Sequence, residues 1–388
     1  MSDDAASSGT ITGECVADLL RGAWRAAPPP LELPGGRQAE LAPELVPRRI
    51  GPLIWHRVSR GGGARETDRP SPLQEAYRRN ALAAALQSRE IAESAERLRA
   101  AGIPALLIKG LAAGRFYGAP ALRSVGDIDF CVPAAQFEAA RELLQSGPSR
   151  RSTIDLHPGR ISLVDRTLEQ LLERAETIEL GGAKVLVPCA EDHLRLLALH
   201  AVRHAVWRPG WLCDVAAAAE SAGDRFDWPR CLAGEPLHTH YLATALALAE
   251  CLLGARLPAA AAAAVEPPPG WVIRSVLRRW GLGRAWGERP PLRPRLGRLL
   301  LAPRELWREL ALRWPDPVLA TVEQGLRFEG GSPRRQAVAL LQRLRMQAAP
   351  APPPASTGSD AGTRPGASAV IPHCPDRYLP DRSHPEGR

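Results

Sequence analysis

Lysine is nearly absent from this chain. Among 388 residues the 50 basic ones are almost all arginine, and only Lys109 and Lys184 are lysine. An exchange that broad reflects the coding bias of a GC-rich genome rather than selection for a polybasic surface. It also singles out Lys109, a compact point charge kept beside a glycine. Aromatic residues are scarce, at 5%. The seven cysteines (15, 131, 189, 213, 231, 251 and 374) form no C-x-x-C pair, which excludes a disulfide framework or zinc ribbon and fits a reducing compartment. No run of about 18 apolar residues is free of charge or proline, so no membrane span is expected. The first residues carry Asp3 and Asp4 and no apolar segment, which argues against a signal peptide and for a cytoplasmic location.

Hydrophobic residues are plentiful, at 45%, enough for a sizeable core. The net charge of +8 is uneven: residues 274–345 hold sixteen arginines against six acids, leaving the rest close to neutral. A solvated Arg-rich face accounts for that stretch, with contact to nucleic acid as the minor alternative.

Punctuation by Pro and Gly divides the chain. Residues 1–70 read as an N-terminal helical extension, with short helices at 14–24 and 52–58 and a glycine link at 61–63. Residues 71–190 read as an α/β core. Ser71-Pro72-Leu73-Gln74 is a helix start, with an N-cap, Pro at N1 and a capping-box Gln. The helix it opens extends to about residue 101, with Leu82, Leu86, Ala95 and Leu98 facing inward. A buried strand follows at 105–108, a short helix at 111–117, a strand at 127–132 and a helix from 133 to 146. A strand at 152–157, a helix at 167–176 and a hairpin at 177–187 turning on Gly181-Gly182 complete the core. Residues 191–346 are mainly helical, and 347–388 have the composition of a disordered tail. The expected class is α+β: a mixed β-sheet flanked by helices.

The chemistry concentrates in Arg123-Ser-Val-Gly-Asp-Ile-Asp-Phe-Cys-Val132. On a strand, Asp127, Asp129 and Cys131 share one face, and Ile128, Phe130 and Val132 the other. Two carboxylates on one face repel unless a cation lies between them, and hard oxygen ligands suit Mg²⁺ or Mn²⁺. Upstream, the apolar run 105–108 ends in Lys109-Gly110. A strand, a Lys-Gly turn, a helix and a strand bearing Asp-x-Asp together suggest metal-dependent phosphoryl or nucleotidyl transfer.

Four pieces in order, Ala101–Leu111, Tyr117–Val132, Ile154-Asp-Leu-His157 and Glu191–His200 followed by Trp211-Leu-Cys-Asp214, resemble an uncharacterised bacterial nucleotidyltransferase family of the polymerase-β-like superfamily. The likeness spans roughly residues 75–225. The superfamily commonly has Gly-Ser where this chain has Lys109-Gly110, and only 26 positions separate Asp129 from Asp155.

The resemblance implies a two-metal transfer of a nucleoside monophosphate from an NTP to a hydroxyl or phosphate of an unidentified acceptor. Some family members accompany genes for ribosomal-peptide or polysaccharide biosynthesis. Asp127, Asp129 and Asp155 would be the catalytic and metal-binding residues, with Mg²⁺ (or Mn²⁺) as cofactor. Lys109, Gly110 and Arg123 are the phosphate candidates, although Lys109 has a carboxylate salt bridge, and Arg123 a loop brace, as its alternative. His157, His200 and Asp214 are placed behind the carboxylates, with Asp214 pairing to an Arg or backbone group. Tyr117 reads as packing before base stacking. His193, His200 and His204 share a helical face, but lack a clear fourth ligand for zinc. Two other readings stand beside this one: a catalytically weak nucleotide-binding accessory protein, and a toxin–antitoxin-type enzyme that modifies a protein or tRNA.

Overall fold

In the computed structural model, residues 11–61, 70–146, 154–159, 165–282, 314–330 and 333–348 are described. The basic loop at 148–151, much of the Arg-rich stretch and the tail lie outside them.

Five strands form one mixed sheet: β1 (Leu106–Leu107), β2 (Ile128–Val132), β3 (Ile154–Pro158), β4 (Glu176–Leu180) and β5 (Ala183–Val187). Their order is β3-β2-β1-β5-β4. β1 is central, antiparallel to β2 and parallel to β5, and β2 and β3 are parallel. Parallel neighbours need a crossover of a dozen or more residues. Residues 133–153 supply it, with the Phe137–Gln145 helix inside. Among the described residues, the short Asp129–Asp155 spacing holds a helical crossover and no extra strand pair.

Alternation along β2 sorts its side chains between two helical layers. Ile128 and Phe130 join Leu107, Val185, Val187 and Ile91 of the Pro72–Ala100 helix in one apolar cluster. Cys131 joins Leu106 and Ile108 in a larger core shared with the Ala190–Arg203, Pro209–Glu220 and Pro236–Leu253 helices. Asp129 alternates to this second face, at the seam between sheet and C-terminal helices. The N-terminal helices belong to the same core, and Arg25 ties them in by a two-pronged bond to Glu220 at 2.8 and 2.5 Å. Among the described residues no helix is long and apolar enough to cross a membrane.

The β4–β5 hairpin turns on Gly181 and Gly182, with φ of 61° and 87°, the left-handed pair that a two-residue turn demands. Gly181 has a second reason to lack a side chain. A Cβ there would come within 2.2 Å of the Ser88 carbonyl on the long helix.

That long helix corrects one expectation. It runs Pro72–Ala100 with Ser71 as N-cap, but its inner face differs from the one expected. Leu82 is 64% exposed, and Leu86 and Ala95 are only half-buried; of the four, Leu98 alone is fully buried. The inward row is instead Ala84, Gln87, Ile91, Ser94 and Leu98. Polar residues sit in it because an irregular segment at 121–126 lies against this face and needs partners for its backbone. Asn80, the only asparagine in the chain, donates to the carbonyls of Ala121 (2.7 Å) and Arg123 (2.9 Å) and accepts from the Val125 N–H (3.1 Å). Gln87, two turns on, donates to the Gly126 carbonyl at 2.5 Å. A second helix not foreseen from sequence, Gly35–Leu45, carries Pro43 in its interior.

Replacing Gln87 by Leu removes the bond to the Gly126 carbonyl, so Gln87→Leu should destabilise the protein by about 0.5–1.5 kcal/mol. Leu82→Gln should change stability by less than about 0.5 kcal/mol. Urea unfolding of both variants checks the assignment of faces.

Candidate active site

The β2–β3 register places Asp129 directly opposite Asp155, and Cys131 opposite His157. Neighbouring strands are about 4.8 Å apart, so side chains paired on one face touch. The two carboxylates are thus forced together. His157, two residues beyond Asp155, returns to the same face. Its Nε2 lies 3.1 Å from Asp129 Oδ1 and 3.2 Å from Asp155 Oδ2. Lys109 donates from Nζ to Asp129 Oδ1 at 2.9 Å. The backbone enforces that contact, because the N–H of Ile108 donates to the Asp129 carbonyl at 3.0 Å.

Asp129, Asp155 and His157 offer ligand atoms that all lie within 4.8 Å of one another. Among the described residues no other group of three His, Cys, Asp or Glu is so arranged. The set fits a hard divalent cation: two carboxylates on neighbouring strands, with a borderline imidazole beside them. Asp127 is not part of the cluster. It precedes β2 and is exposed. Gly110 lies against it, with φ of 65° and space that a Cβ would fill to within 3.3 Å of the Asp127 carbonyl. The following helix is only Leu111–Gly114, and the Ala112 and Ala113 N–H groups are taken by the carbonyls of Lys109 and Gly110. Close backbone approach, rather than a helix dipole, is what this turn offers.

Electrostatics follow from the geometry. Burial works to raise the Asp129 pKa, but the hydrogen bond from His157 and the nearby Lys109 ammonium outweigh it and hold the carboxyl below its ordinary value. Burial works to lower His157, and its hydrogen bonds to Asp129 and Asp155 reverse this, leaving it raised.

Behind the carboxylates, Asp214 is almost fully buried and accepts three hydrogen bonds. Arg123 gives two, from Nε to Oδ1 and from Nη2 to Oδ2, both at 2.9 Å, and the Tyr117 hydroxyl gives one at 2.7 Å. The guanidinium of Arg123 is thus committed to a fork that ties the Pro209–Glu220 helix to the loop entering β2. Of its two sequence readings, the brace fits this geometry. Tyr117, 7% exposed, is a packing residue with its hydroxyl on Asp214. His193 is wholly buried against Phe116, ring centroids 5.2 Å apart, while His200 meets His204 and Trp211 edge to face.

Residues 38–254 match a family described as "Uncharacterised nucleotidyltransferase". The chain belongs to that family. The match begins in the Gly35–Leu45 helix, takes in the whole sheet with its carboxylates, and ends at Gly254, the left-handed cap of the Pro236–Leu253 helix. No curated protein and no solved structure matches the chain. Family membership makes this a transferase of the nucleotidyl-transfer type, with an NTP as the implied substrate.

Sequence reasoning passed over Asn80, Gln87 and Arg49. Arg49, at φ 60°, accepts the Ser124 hydroxyl at its carbonyl (2.5 Å) and donates from Nη1 to the Val125 carbonyl (3.2 Å). The rarity of asparagine in the chain was the available signal for Asn80. None pointed to Arg49.

Removing one partner of a buried, hydrogen-bonded ion pair costs about 3–5 kcal/mol. Arg123→Leu should therefore lower stability by that order in urea unfolding, and Arg123→Lys, which lacks the planar fork, should recover only part of it.

Acid should destabilise the protein through its buried imidazoles. Burial, then nearby cations, hold His193 and His200 well below their ordinary 6.5, and His204 down to about 4. The unfolded chain binds more protons than these folded sites, so stability falls as pH drops below 6.5. His157, raised, acts in a separate window above 6.5, and Asp129, lowered, in one below 3.8. In His193→Phe the slope of stability against pH between about 6 and 4 should be shallower by up to ~1.4 kcal/mol per unit.

Proposed function

We propose that the protein transfers a nucleoside monophosphate from an NTP to a hydroxyl or phosphate oxygen of an acceptor. The observation that carries this is the in-register pairing of Asp129 with Asp155 on adjacent strands, with Lys109 bonded to Asp129. Membership of the nucleotidyltransferase family supports it.

In the step itself, the acceptor oxygen forms a bond to the α-phosphorus. The bond from that phosphorus to the β-phosphate bridging oxygen breaks, and pyrophosphate leaves. Phosphoryl chemistry of this kind asks mainly for positioning and charge neutralisation. A divalent cation such as Mg²⁺, held by Asp129 and Asp155 with Asp127 just before β2, would neutralise the triphosphate and acidify the acceptor hydroxyl. Asp155 takes up the acceptor proton, and His157, bonded to both carboxylates, keeps them oriented. Lys109 moves from Asp129 toward phosphate when the triphosphate enters. The Gly110 turn allows the chain to approach that phosphate closely.

The test is incubation with each of the four α-³²P-labelled NTPs and Mg²⁺ over a broad acceptor panel that includes the protein itself. Wild type should transfer label. Asp129→Ala should abolish it, and Asp155→Ala should cut it by about 10²–10⁴-fold, the range for loss of a general base. Lys184→Ala, on the exposed hairpin, should match wild type. NTP binding without transfer to any acceptor would favour the accessory reading, as would label transfer indifferent to Asp129.

A further inference from the structure

The Ala190–Arg203 helix ends in an uncommon way. After its cap, His204, both Ala205 and Val206 take left-handed conformations, with φ of 50° and 52°. A β-branched residue rarely adopts that region, and persists there only when its surroundings enforce it. Here the Ala205 and Val206 N–H groups donate back to Val202 and Ala201, both at 2.7 Å. From outside, the Trp280 indole donates to the Val206 carbonyl at 2.8 Å.

This forced reversal returns the chain over its own helix and builds an aromatic cluster. His200 lies 4.7 Å from His204 and 4.6 Å from Trp211, and Trp207 lies 5.6 Å from Trp211 (ring centroids). The Arg208 guanidinium covers both indoles, 4.6 Å from the Trp207 ring and 5.1 Å from Trp211. All five are half-buried, whereas the core tryptophans Trp24 and Trp280 are 2% and 1% exposed. A cluster serving the core alone would be closed in the same way.

Its position is tied to the site. Trp211 and Asp214 are three residues apart on one helix and so share a face. Asp214 holds Arg123, four residues before Asp127. Burial depresses the pKa of both His200 and His204, and the Lys109 ammonium is near enough to add to the effect. A neutral imidazole carries one donor and one acceptor, which suits the edge of a heterocycle rather than phosphate.

We propose that Trp207, Arg208 and Trp211, with His200 and His204, form the nucleobase seat for the NTP whose phosphates lie at Lys109 and the carboxylates. The base stacks on the indole and guanidinium surfaces, and the histidines meet its edge. This rests on the nucleotidyl-transfer reading of the carboxylate site.

Calorimetric titration of the full chain in Mg²⁺ with ATP, GTP, CTP and UTP, and separately with inorganic tripolyphosphate, divides base from phosphate binding. The preferred NTP should bind wild type more tightly than tripolyphosphate. In Trp211→Ala and Trp207→Ala its Kd should rise about tenfold or more, as expected for loss of a stacking partner, with tripolyphosphate affinity unchanged. Trp211→Phe, which keeps a ring, should restore most of the loss. Unaltered NTP affinity in both alanine variants overturns the seat and leaves the phosphate site standing, as does wild type that binds tripolyphosphate as tightly as any NTP. Equal loss of both ligands in the alanine variants, persisting in Trp211→Phe, also overturns it. Wild type that binds neither ligand overturns the carboxylate site and the seat together.

Discussion

Like charges forced together are the constraint on which this molecule is arranged. The parallel register of β2 and β3 leaves Asp129 and Asp155 no freedom to separate, because each is fixed by a ladder of backbone bonds rather than by its own rotamer. Such a pair is tolerable only with positive or donating groups beside it. Lys109 and His157 are those groups, and each is brought in by backbone: Lys109 by the antiparallel β1–β2 edge, His157 by alternation along β3. The sheet therefore does more than support the site. Its strand order specifies which charges meet.

The second level of organisation is the loop between Pro120 and Asp127, which aims the start of β2. It has no regular ladder of its own, so its backbone groups must be satisfied from elsewhere. Partners arrive from two directions, Asn80 and Gln87 from the long helix and Arg49 from the N-terminal region, and the Arg123–Asp214 side-chain fork adds a tie to the C-terminal helices. Layers far apart in sequence are thus tied through one short segment beside the carboxylates.

Much of this was legible in the amino-acid order, for definable reasons. The strands bearing Asp129 and Asp155 could be recognised because strand alternation is local and strict, and the Gly181-Gly182 hairpin because left-handed turns demand particular residues; Asp127, expected on the same strand, lies just before it. The pairing of Asp129 with Asp155 was implied by family likeness, since no local rule sets which strands become neighbours. The inward face of the Pro72–Ala100 helix was misjudged. Hydrophobic periodicity assumes an apolar partner, whereas Asn80 and Gln87 on this helix face an irregular loop that asks for amides. Leu82 is exposed and Gln87 buried for that one reason. Arg123 is basic near phosphate chemistry, and only the fold reveals Asp214 as its counterpart, 91 residues away.

The contacts of Asn80 and Gln87 also bear on how the sequence can vary. Both grip main-chain atoms of Ala121, Arg123, Val125 and Gly126, never their side chains. The path of the loop is therefore stored in two amides on a helix, not in the loop residues themselves. A position such as Ala121 is left open to drift, while mutational intolerance moves some forty residues upstream, onto a helix face that contributes nothing to the chemistry.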